Sequence, residues 1–444
     1  MKWVFLLALL ILTPALAAAL RRQPRHLLLV AFLIGLIPFV MGPLHLFVAP
    51  ISWAYWTGPV KGIEISVLDA LAVAVIAVTR PVKTPLVLKL ALGIIVTALI
   101  VSTLVSDQYW PCSFYAWQLL RAVVLYMGVA RATAALPDFP IRILFGMGVG
   151  LAIEAITATS QYLGGDSQAG GNFGHQNMLG TASMFVVFSA FALFLAGRRT
   201  MLALAILGCE AVIVFTGGSR AAIGLFAIGL LVTIALSIRH RGSGRKAMMT
   251  AAAVIGLACA APVMMMAIER RSDAARAGSS QERQQFIAAA RMIIADYPWG
   301  VGANRYVIVA NLGGYSDRAG VPWNTTERSA PVHNYYYLVA AELGLLGFVG
   351  LATLLAGLIL TGVRALRRVE WNERSELLVG VTASAIVASA YFAFEYVAMT
   401  FYIHYLFAIN AGMLVALAAA RRQAAPARHN QRAPLNLTAV QEPT

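Results

Sequence analysis

The sequence predicts an all-α polytopic membrane protein with about 12 transmembrane helices, 12 or 13 depending on the first segment. The 444-residue chain is 60% hydrophobic and 12% charged, and its mean hydropathy is +0.75. Soluble domains carry about 25% charged residues, roughly twice as many. Apolar runs of about 20 residues recur along the chain and are continuous rather than alternating, which favours membrane-spanning helices over a transmembrane β-barrel.

Thirteen apolar segments are candidate membrane spans. They are residues 3–20, 27–49, 64–80, 85–105, 115–135, 141–163, 177–197, 201–217, 221–238, 247–267, 342–363, 377–396 and 402–420. The first segment also resembles a signal peptide, because Lys2 precedes an apolar core that ends in small residues. Arg21 and Arg22 follow it directly and favour an uncleaved first span. Thirteen spans put the two chain ends on opposite sides, so an even count requires the first segment to be re-entrant or merged with the second.

Basic residues concentrate in alternate loops, and this pattern predicts the orientation of the chain. The basic loops lie at 21–25, 80–83, 198–199, 239–246 and 364–374, with a basic tail from 421. The positive-inside rule makes their side cytoplasmic, which leaves the long segment 268–332 on the external side. The net charge of +15 is therefore interpreted as orientation signal and contact with anionic membrane lipids rather than nucleic-acid binding.

These features divide the chain into four predicted regions. They are N-terminal transmembrane helices (1–267), a large external loop with an amphipathic helix (268–332), C-terminal transmembrane helices (333–420) and a disordered cytoplasmic tail (421–444). Within the loop, Ser279-Ser-Gln-Glu282 has the pattern of a capping box and predicts a helix start. Pro298 predicts that this helix ends just before it. Arg283 and Arg291 then lie along one side of the helix.

His333 is the first candidate for chemistry, at the junction between the long polar loop and an apolar helix. It lies in Pro331-Val-His-Asn-Tyr-Tyr-Tyr337, which continues to Gly344 and Gly347. A histidine can take a proton from a sugar hydroxyl and return it. The alternative is that His333, like the neighbouring tyrosines, is an interfacial residue in an aromatic belt.

Three arginines are candidates for anion binding on the external side. Arg220 follows Thr216-Gly-Gly-Ser219 and begins an apolar helix, where the positive-inside rule disfavours an arginine. A guanidinium suits bidentate contact with phosphate, and the helix N-terminus adds to the positive field. Arg283 and Arg291 could contact the same anion. The alternatives are a lipid headgroup or salt bridge for Arg220, and a solvated helix face for the other two.

A glycine-rich turn on the same side carries two further polar candidates. It runs Gly170-Gly-Asn-Phe-Gly-His-Gln-Asn-Met-Leu-Gly180 and includes His175 and Asn177. The glycines permit close backbone approach, although an ordinary tight turn before a helix is equally compatible. The sequence has no Walker A motif, no external paired acidic cluster and no zinc-ligand spacing. Arginines rather than a metal or cofactor would then neutralise a phosphate-linked leaving group.

Four motifs in order resemble those of the O-antigen ligase (WaaL) family. The family's H-[N/S/Q]-x9-G-x-x-G pattern is similar to His333-Asn334 followed, after nine residues, by Gly344-x-x-Gly347. Its G-x-F-x-x-x-N element is similar to Gly171–Asn177, and its S-R-x element to Ser219-Arg220. Its arginine and P-x-G-x-G element are similar to Arg283 and Pro298-Trp-Gly-Val-Gly302. The resemblance covers about residues 170–350. The same superfamily includes Wzy-type polymerases and protein O-oligosaccharyltransferases.

The resemblance implies a metal-independent, inverting glycosyltransferase of GT-C architecture in the bacterial inner membrane, with its active site facing the periplasm. It would transfer a glycan from undecaprenyl diphosphate to lipid A–core oligosaccharide. Arg220, Arg283 and Arg291 would bind the pyrophosphate, and His333 would activate the acceptor hydroxyl. The other candidates for substrate contact are His175, Asn177, Asn334 and Tyr335. The non-enzymatic alternative is a lipid-linked glycan transporter, which is disfavoured because the polar groups gather at the external edge and not at the bilayer midplane.

Overall fold

The computed structural model describes residues 2–269 and 273–420, without the side chains of residue 257 and residues 259–280; the predicted tail at 421–444 lies outside the described residues. The described part contains seventeen α-helices and one short β-hairpin. The helices are α1 (Lys2–Arg22), α2 (Leu27–Val40), α3 (Val67–Val78), α4 (Leu86–Leu104), α5 (Tyr109–Ala135), α6 (Phe139–Leu163), α7 (Gln176–Leu195), α8 (Thr200–Gly217), α9 (Arg220–His240), α10 (Gly244–Glu269), α11 (Asp273–Asp296), α12 (Tyr306–Leu312), α13 (Tyr315–Arg318), α14 (Thr325–Ser329), α15 (Tyr335–Ala365), α16 (Glu373–Tyr391) and α17 (Phe401–Ala419). The predicted all-α class is confirmed.

Each predicted span contains most or all of one helix. In the described residues, nine helices are long and apolar enough to cross a membrane, namely α1, α4, α5, α6, α7, α8, α9, α15 and α17. Two shorter apolar helices, α2 and α3, accompany them. The chain is therefore a polytopic membrane protein built of helices. Buried residues line α7 along nearly its whole length, so this helix lies at the centre of the bundle.

The second span was predicted too long. Helix α2 ends at Val40, and Gly42 and Pro43 follow in a turn. Residues Phe47–Ser52 (β1) then pair antiparallel with Gly62–Ser66 (β2). Proline ends helices readily, and alternating β-branched residues in β2 suit a strand. The apolar run that suggested one long span is thus divided between a helix and a strand.

The predicted start of the loop helix was wrong. Helix α11 begins at Asp273, six residues before Ser279, so the expected capping box lies inside the helix. The intervening alanines and arginine are good helix formers and extend the helix backwards past the local cap signal. The predicted end is confirmed, since α11 stops at Asp296, before Tyr297 and Pro298.

Helix α15 is interrupted at Gly344. This residue has φ 71° and ψ −176°, a backbone conformation open essentially to glycine alone. A Cβ atom at Gly344 would lie 2.5 Å from the carbonyl oxygen of Pro298, so the loop after α11 occupies that space. The Gly-x-x-Gly step therefore marks a site of close backbone approach and divides α15 into a short first part and a longer second part.

Hydrogen bonds attach this loop to the first part of α15. The N–H groups of Val301 and Gly302 donate to the carbonyl oxygens of Ala341 and Glu342, both at 3.0 Å. The Glu342 carboxylate accepts from the backbone N–H of Asn304 at 2.8 Å and of Tyr306 at 2.9 Å. The segment that begins at Tyr335, two residues after His333, is thereby held rigidly against the loop.

The end of the bundle opposite His333 contains a buried ion pair that is enclosed by other side chains. Lys246 Nζ lies 2.7 Å from Glu376 Oε1, and both side chains are almost fully buried. Trp371 Nε1 donates to the same oxygen at 2.6 Å, and Ser237 Oγ donates to Glu376 Oε2 at 3.3 Å. This cluster joins the end of α9 to the starts of α10 and α16.

Candidate functional site

The candidate site is centred on Glu395, which lies between α16 and α17 and is 0% exposed. Its Oε1 accepts a hydrogen bond from Asn177 Nδ2 at 2.6 Å and one from Arg283 Nη2 at 2.7 Å. Its Oε2 lies 3.1 Å from His333 Nδ1. One carboxylate thus joins three residues from distant parts of the chain, and all three were predicted as site residues.

The segment that carries Glu395 is fixed against α15. Helix α16 ends at Tyr391, and the carbonyl oxygen of Phe392 accepts from the N–H of Tyr335 at 2.8 Å. Asn334 Nδ2 donates to the carbonyl oxygen of Ala393, also at 2.8 Å. These contacts set the position of Glu395 relative to the histidine at the beginning of α15.

His333 is enclosed on two sides by aromatic rings. The ring centroid of Phe286 lies 5.6 Å away and that of Tyr396 lies 5.2 Å away, both edge-on. Its side chain is 24% exposed, so it is packed but still accessible. Because Glu395 is ion-paired with Arg283, it accepts hydrogen bonds, and His333 Nδ1–H is the donor. In the neutral imidazole, this tautomer leaves Nε2 without a proton.

Asn177 connects the carboxylate to two helix starts. His175 caps α7, and its Nδ1 accepts from the Asn177 N–H at 3.2 Å. Ser219 caps α9 and donates its hydroxyl to Asn177 Oδ1 at 2.7 Å. Arg220, the next residue, is the first of α9, and its side chain is exposed. The turn before α7 and the start of α9 therefore meet at the site.

A buried glutamate holds the glycine-rich turn in place. Glu154 of α6 accepts from the N–H of Asn172 at 2.8 Å and from Asn172 Nδ2 at 3.1 Å. Gly171 adopts φ 59° beside this carboxylate, where a Cβ atom would collide with it. The glycine therefore allows the backbone to approach Glu154, which positions the His175–Asn177 segment.

Charges around His333 interact with one another. Burial lowers the pKa of His175 below its ordinary value of 6.5; the nearby Glu395 opposes this shift and the nearby His333 adds to it. Burial raises the pKa of Glu327, the charge of Glu282 raises it further and His333 lowers it. The site therefore contains two histidines and additional acidic groups within electrostatic reach of one another.

Arg291 does not reach the Glu395 carboxylate. Its Nε and Nη2 donate to the hydroxyl of Tyr337 at 3.2 and 3.1 Å, and its guanidinium lies 5.6 Å from the centroid of that ring. Arg283 and Arg291 are eight residues apart on α11, which corresponds to about 12 Å along a helix. The two arginines thus occupy different parts of the same surface.

Asn334 and Tyr335 have structural contacts. Asn334 caps α15 by accepting from the N–H groups of Tyr336 and Tyr337 at 3.0 and 3.2 Å. Tyr335 is buried, and its hydroxyl lies 3.0 Å from that of Tyr115 on α5. It lines an apolar cavity of about 360 Å³ between α4, α5, α15 and α17. These residues flank the site without bonding to Glu395.

The sequence interpretation missed Glu395, together with Phe286, Glu327 and Tyr396. A single acidic residue inside the predicted span 377–396 was the available signal, because ionisable groups in membrane segments are expensive and commonly functional. Among the described residues, no group of three or more His, Cys, Asp or Glu side chains could hold a metal ion. The arrangement brings an imidazole and a guanidinium to one carboxylate.

Comparison with known proteins finds one family match. A search of curated proteins finds no match to the chain. Residues 205–352 match the family model Wzy_C, described as O-antigen ligase. The matched segment contains Arg220, Arg283 and His333, whereas Asn177 and Glu395 lie outside it. This match covers a minority of the chain and supports a relation to the O-antigen ligase superfamily, with which the apolar helices of the described residues are consistent.

Proposed function

We propose that this protein is an O-antigen ligase of the bacterial inner membrane, with its site on the periplasmic face. It transfers a glycan from undecaprenyl diphosphate to lipid A–core oligosaccharide. The observation that carries the proposal is the sharing of one buried carboxylate by His333 and Arg283, a base and a phosphate-binding cation, within a family-matched segment. Activation of the acceptor hydroxyl requires a base, and stabilisation of the diphosphate leaving group requires a cation close to that base.

The reaction follows from these groups. His333 Nε2 accepts the proton of the acceptor hydroxyl while the hydroxyl oxygen attacks the anomeric carbon of the donor sugar. The bond from that carbon to the diphosphate oxygen breaks, and the configuration inverts. Arg283 and Arg220 stabilise the charge that develops on the departing undecaprenyl diphosphate, with Arg291 on the same helix assisting. No metal or cofactor takes part in this scheme.

The neighbouring apolar cavity supports a lipid-linked donor. Tyr335 and Phe392 line it, and both lie within three residues of the polar site, close to His333 and Glu395 respectively. A donor that joins a charged diphosphate to a polyprenyl chain needs adjacent polar and apolar surfaces. We assign part of the polyprenyl chain to this cavity and the diphosphate to the arginines.

Transfer by purified protein in detergent tests the proposal. Wild-type protein is expected to move glycan from an undecaprenyl-diphosphate donor to lipid A–core, and His333→Ala to lower the rate by at least about 100-fold while remaining folded. His26→Gln, at an exposed histidine far along the chain, is the matched control and should keep full activity. Full activity in His333→Ala would contradict the assigned base. Because detergent leaves no membrane to cross, a pure transporter would give no product.

The gel pattern of lipopolysaccharide after gene deletion distinguishes the alternatives within the superfamily. Loss of a ligase is expected to leave uncapped core and accumulated lipid-linked polymer. Loss of a Wzy-type polymerase would instead leave core carrying one repeat unit. Normal lipopolysaccharide accompanied by loss of protein glycans would indicate a protein O-oligosaccharyltransferase.

A further inference from the structure

We infer that Glu395 is a positioning residue for glycosyl transfer, which fixes the tautomer of His333 and the orientation of Arg283 with one carboxylate. The inference rests on the proposed function and extends it to a residue outside the matched segment 205–352. Glu395 acts through the two side chains that it holds and does not itself contact the reacting atoms.

The hydrogen-bond arithmetic of the carboxylate supports this role. Asn177 and Arg283 both donate at Oε1, and His333 Nδ1 lies at Oε2. An ionised carboxylate only accepts, so Nδ1 keeps its proton and Nε2 remains the basic nitrogen. A histidine whose second nitrogen is bonded to a carboxylate is held in one tautomer and one orientation.

Arg283 is held in the same way. One nitrogen of its guanidinium, Nη2, is bound to Glu395, and 38% of the side chain stays exposed. A guanidinium carries five N–H donors, so several remain for a pyrophosphate. Glu395 thus orients the guanidinium of Arg283 and leaves most of its N–H donors available. A diphosphate bound to those donors lies beside His333.

Burial makes the arrangement rigid. Glu395 is 0% exposed, and its Asn177 partner is in turn held by the Ser219 hydroxyl. The cap of α9, the start of α7, helix α11 and the start of α15 therefore all converge on this one side chain. The separate family motifs are brought into register by a residue that belongs to none of them.

Replacement of Glu395 by glutamine gives a specific outcome. An amide presents one acceptor oxygen and one NH₂ donor. If the NH₂ faced Asn177 and Arg283 it would meet two donors, so the favourable orientation turns it towards His333. His333 Nδ1 must then accept, and the proton moves to Nε2, which removes the base.

Two readouts follow in purified full-length protein. Glu395→Gln is expected to lower kcat by about 100-fold or more, while KM for the donor stays the same or falls because a negative charge beside the pyrophosphate is removed. The ¹⁵N signals of labelled histidine, assigned to His333 by comparison with His333→Gln, should change from the Nδ1–H to the Nε2–H tautomer. Glu395→Asp keeps a carboxylate and is expected to recover part of the rate.

Glu373→Gln is the matched control. Glu373 lies on α16, the helix that precedes Glu395, and it also pairs with an arginine, Arg199. It should leave kcat, KM and the His333 signal unchanged. Glu395→Gln with kcat within about threefold of wild type would overturn the inference while leaving the proposed function standing. A lower kcat with a raised donor KM and an unchanged tautomer would also overturn it, because that pattern indicates a structural role.

Wild-type protein alone provides an outcome that does not depend on the folding of any variant at Glu395. A wild-type His333 protonated on Nε2 would overturn the inference directly. Wild-type protein that transfers no glycan would overturn the proposed function and this inference with it.

Discussion

Two buried glutamates near opposite ends of α16 are both ion-paired, but their partners differ in accessibility. Glu376 lies in the first turn of the helix and Glu395 four residues beyond its last residue, and each is 0% exposed. Each pairs with a cation at 2.7 Å, Lys246 in one case and Arg283 in the other. Burial and ion pairing therefore do not by themselves distinguish a functional carboxylate from a structural one.

The partners make the distinction. Lys246 is 1% exposed, and Trp371 and Ser237 complete the shell around Glu376, so no ligand can reach that pair. At the other end Arg283 is 38% exposed and His333 is 24% exposed. A buried carboxylate with accessible partners can hold them in position for a ligand, whereas a fully enclosed pair can only join helices.

The enclosed pair gives the largest expected effect on stability. Lys246→Met leaves Glu376 buried without its cation, and breaking a buried pair in this way costs about 3–5 kcal/mol of unfolding free energy. The double variant Lys246→Met, Glu376→Gln removes both charges and is expected to recover most of the loss. Unfolding followed in detergent measures both.

Catalysis should be insensitive to the same change. The kcat of folded Lys246→Met protein is expected to equal that of wild type, because the pair is at the far end of α16 from Glu395. A loss of kcat that exceeds the folded fraction would contradict the comparison and indicate coupling between the two ends.

The helical framework was predictable because apolar length decides which segments can span a bilayer. Glu395 was not identified, since its role depends on tertiary contacts with residues such as Asn177, 218 positions earlier in the chain. Acidic residues inside predicted spans also include Glu154, Glu210 and Glu342. Glu342 binds the backbone of the loop after α11, and Glu154 binds the backbone of the turn before α7. An acidic residue inside a predicted span can therefore have a structural role as readily as a functional one.

Motif spacing was informative for a reason that only the structure supplies. Gly344 was interpreted as part of a family pattern, and it proves to be the point where α15 breaks to admit Pro298. In contrast, Ser279 fits a capping pattern, yet α11 starts earlier. A local pattern therefore predicts well where backbone sterics determine it, and poorly where neighbouring helix formers compete with it.

Gly344→Ala, near the end of the bundle that carries Glu395, is expected to have an intermediate effect on stability and kcat. An alanine there must adopt a conformation that costs about 1–3 kcal/mol, and its Cβ atom would also press on the Pro298 carbonyl. Detachment of the loop from α15 should lower both the unfolding midpoint and kcat. Gly93→Ala in α4, where a Cβ meets nothing within 4 Å, is the control and should be neutral or stabilising. Equal behaviour of the two variants would refute the steric explanation.

The smallest expected effect is on the pH dependence of stability, and it concerns His175, close to Glu395. Burial lowers the pKa of His175 below 6.5, so the unfolded chain takes up this proton first, and stability that is present above about pH 6.5 is lost as the pH falls below it. Asparagine is also a good helix cap and does not titrate. His175→Asn should therefore lose less stability than wild type between about pH 7.5 and about pH 5.5 in thermal unfolding. Parallel losses in the two proteins would mean that groups other than His175 dominate the acid sensitivity of the site.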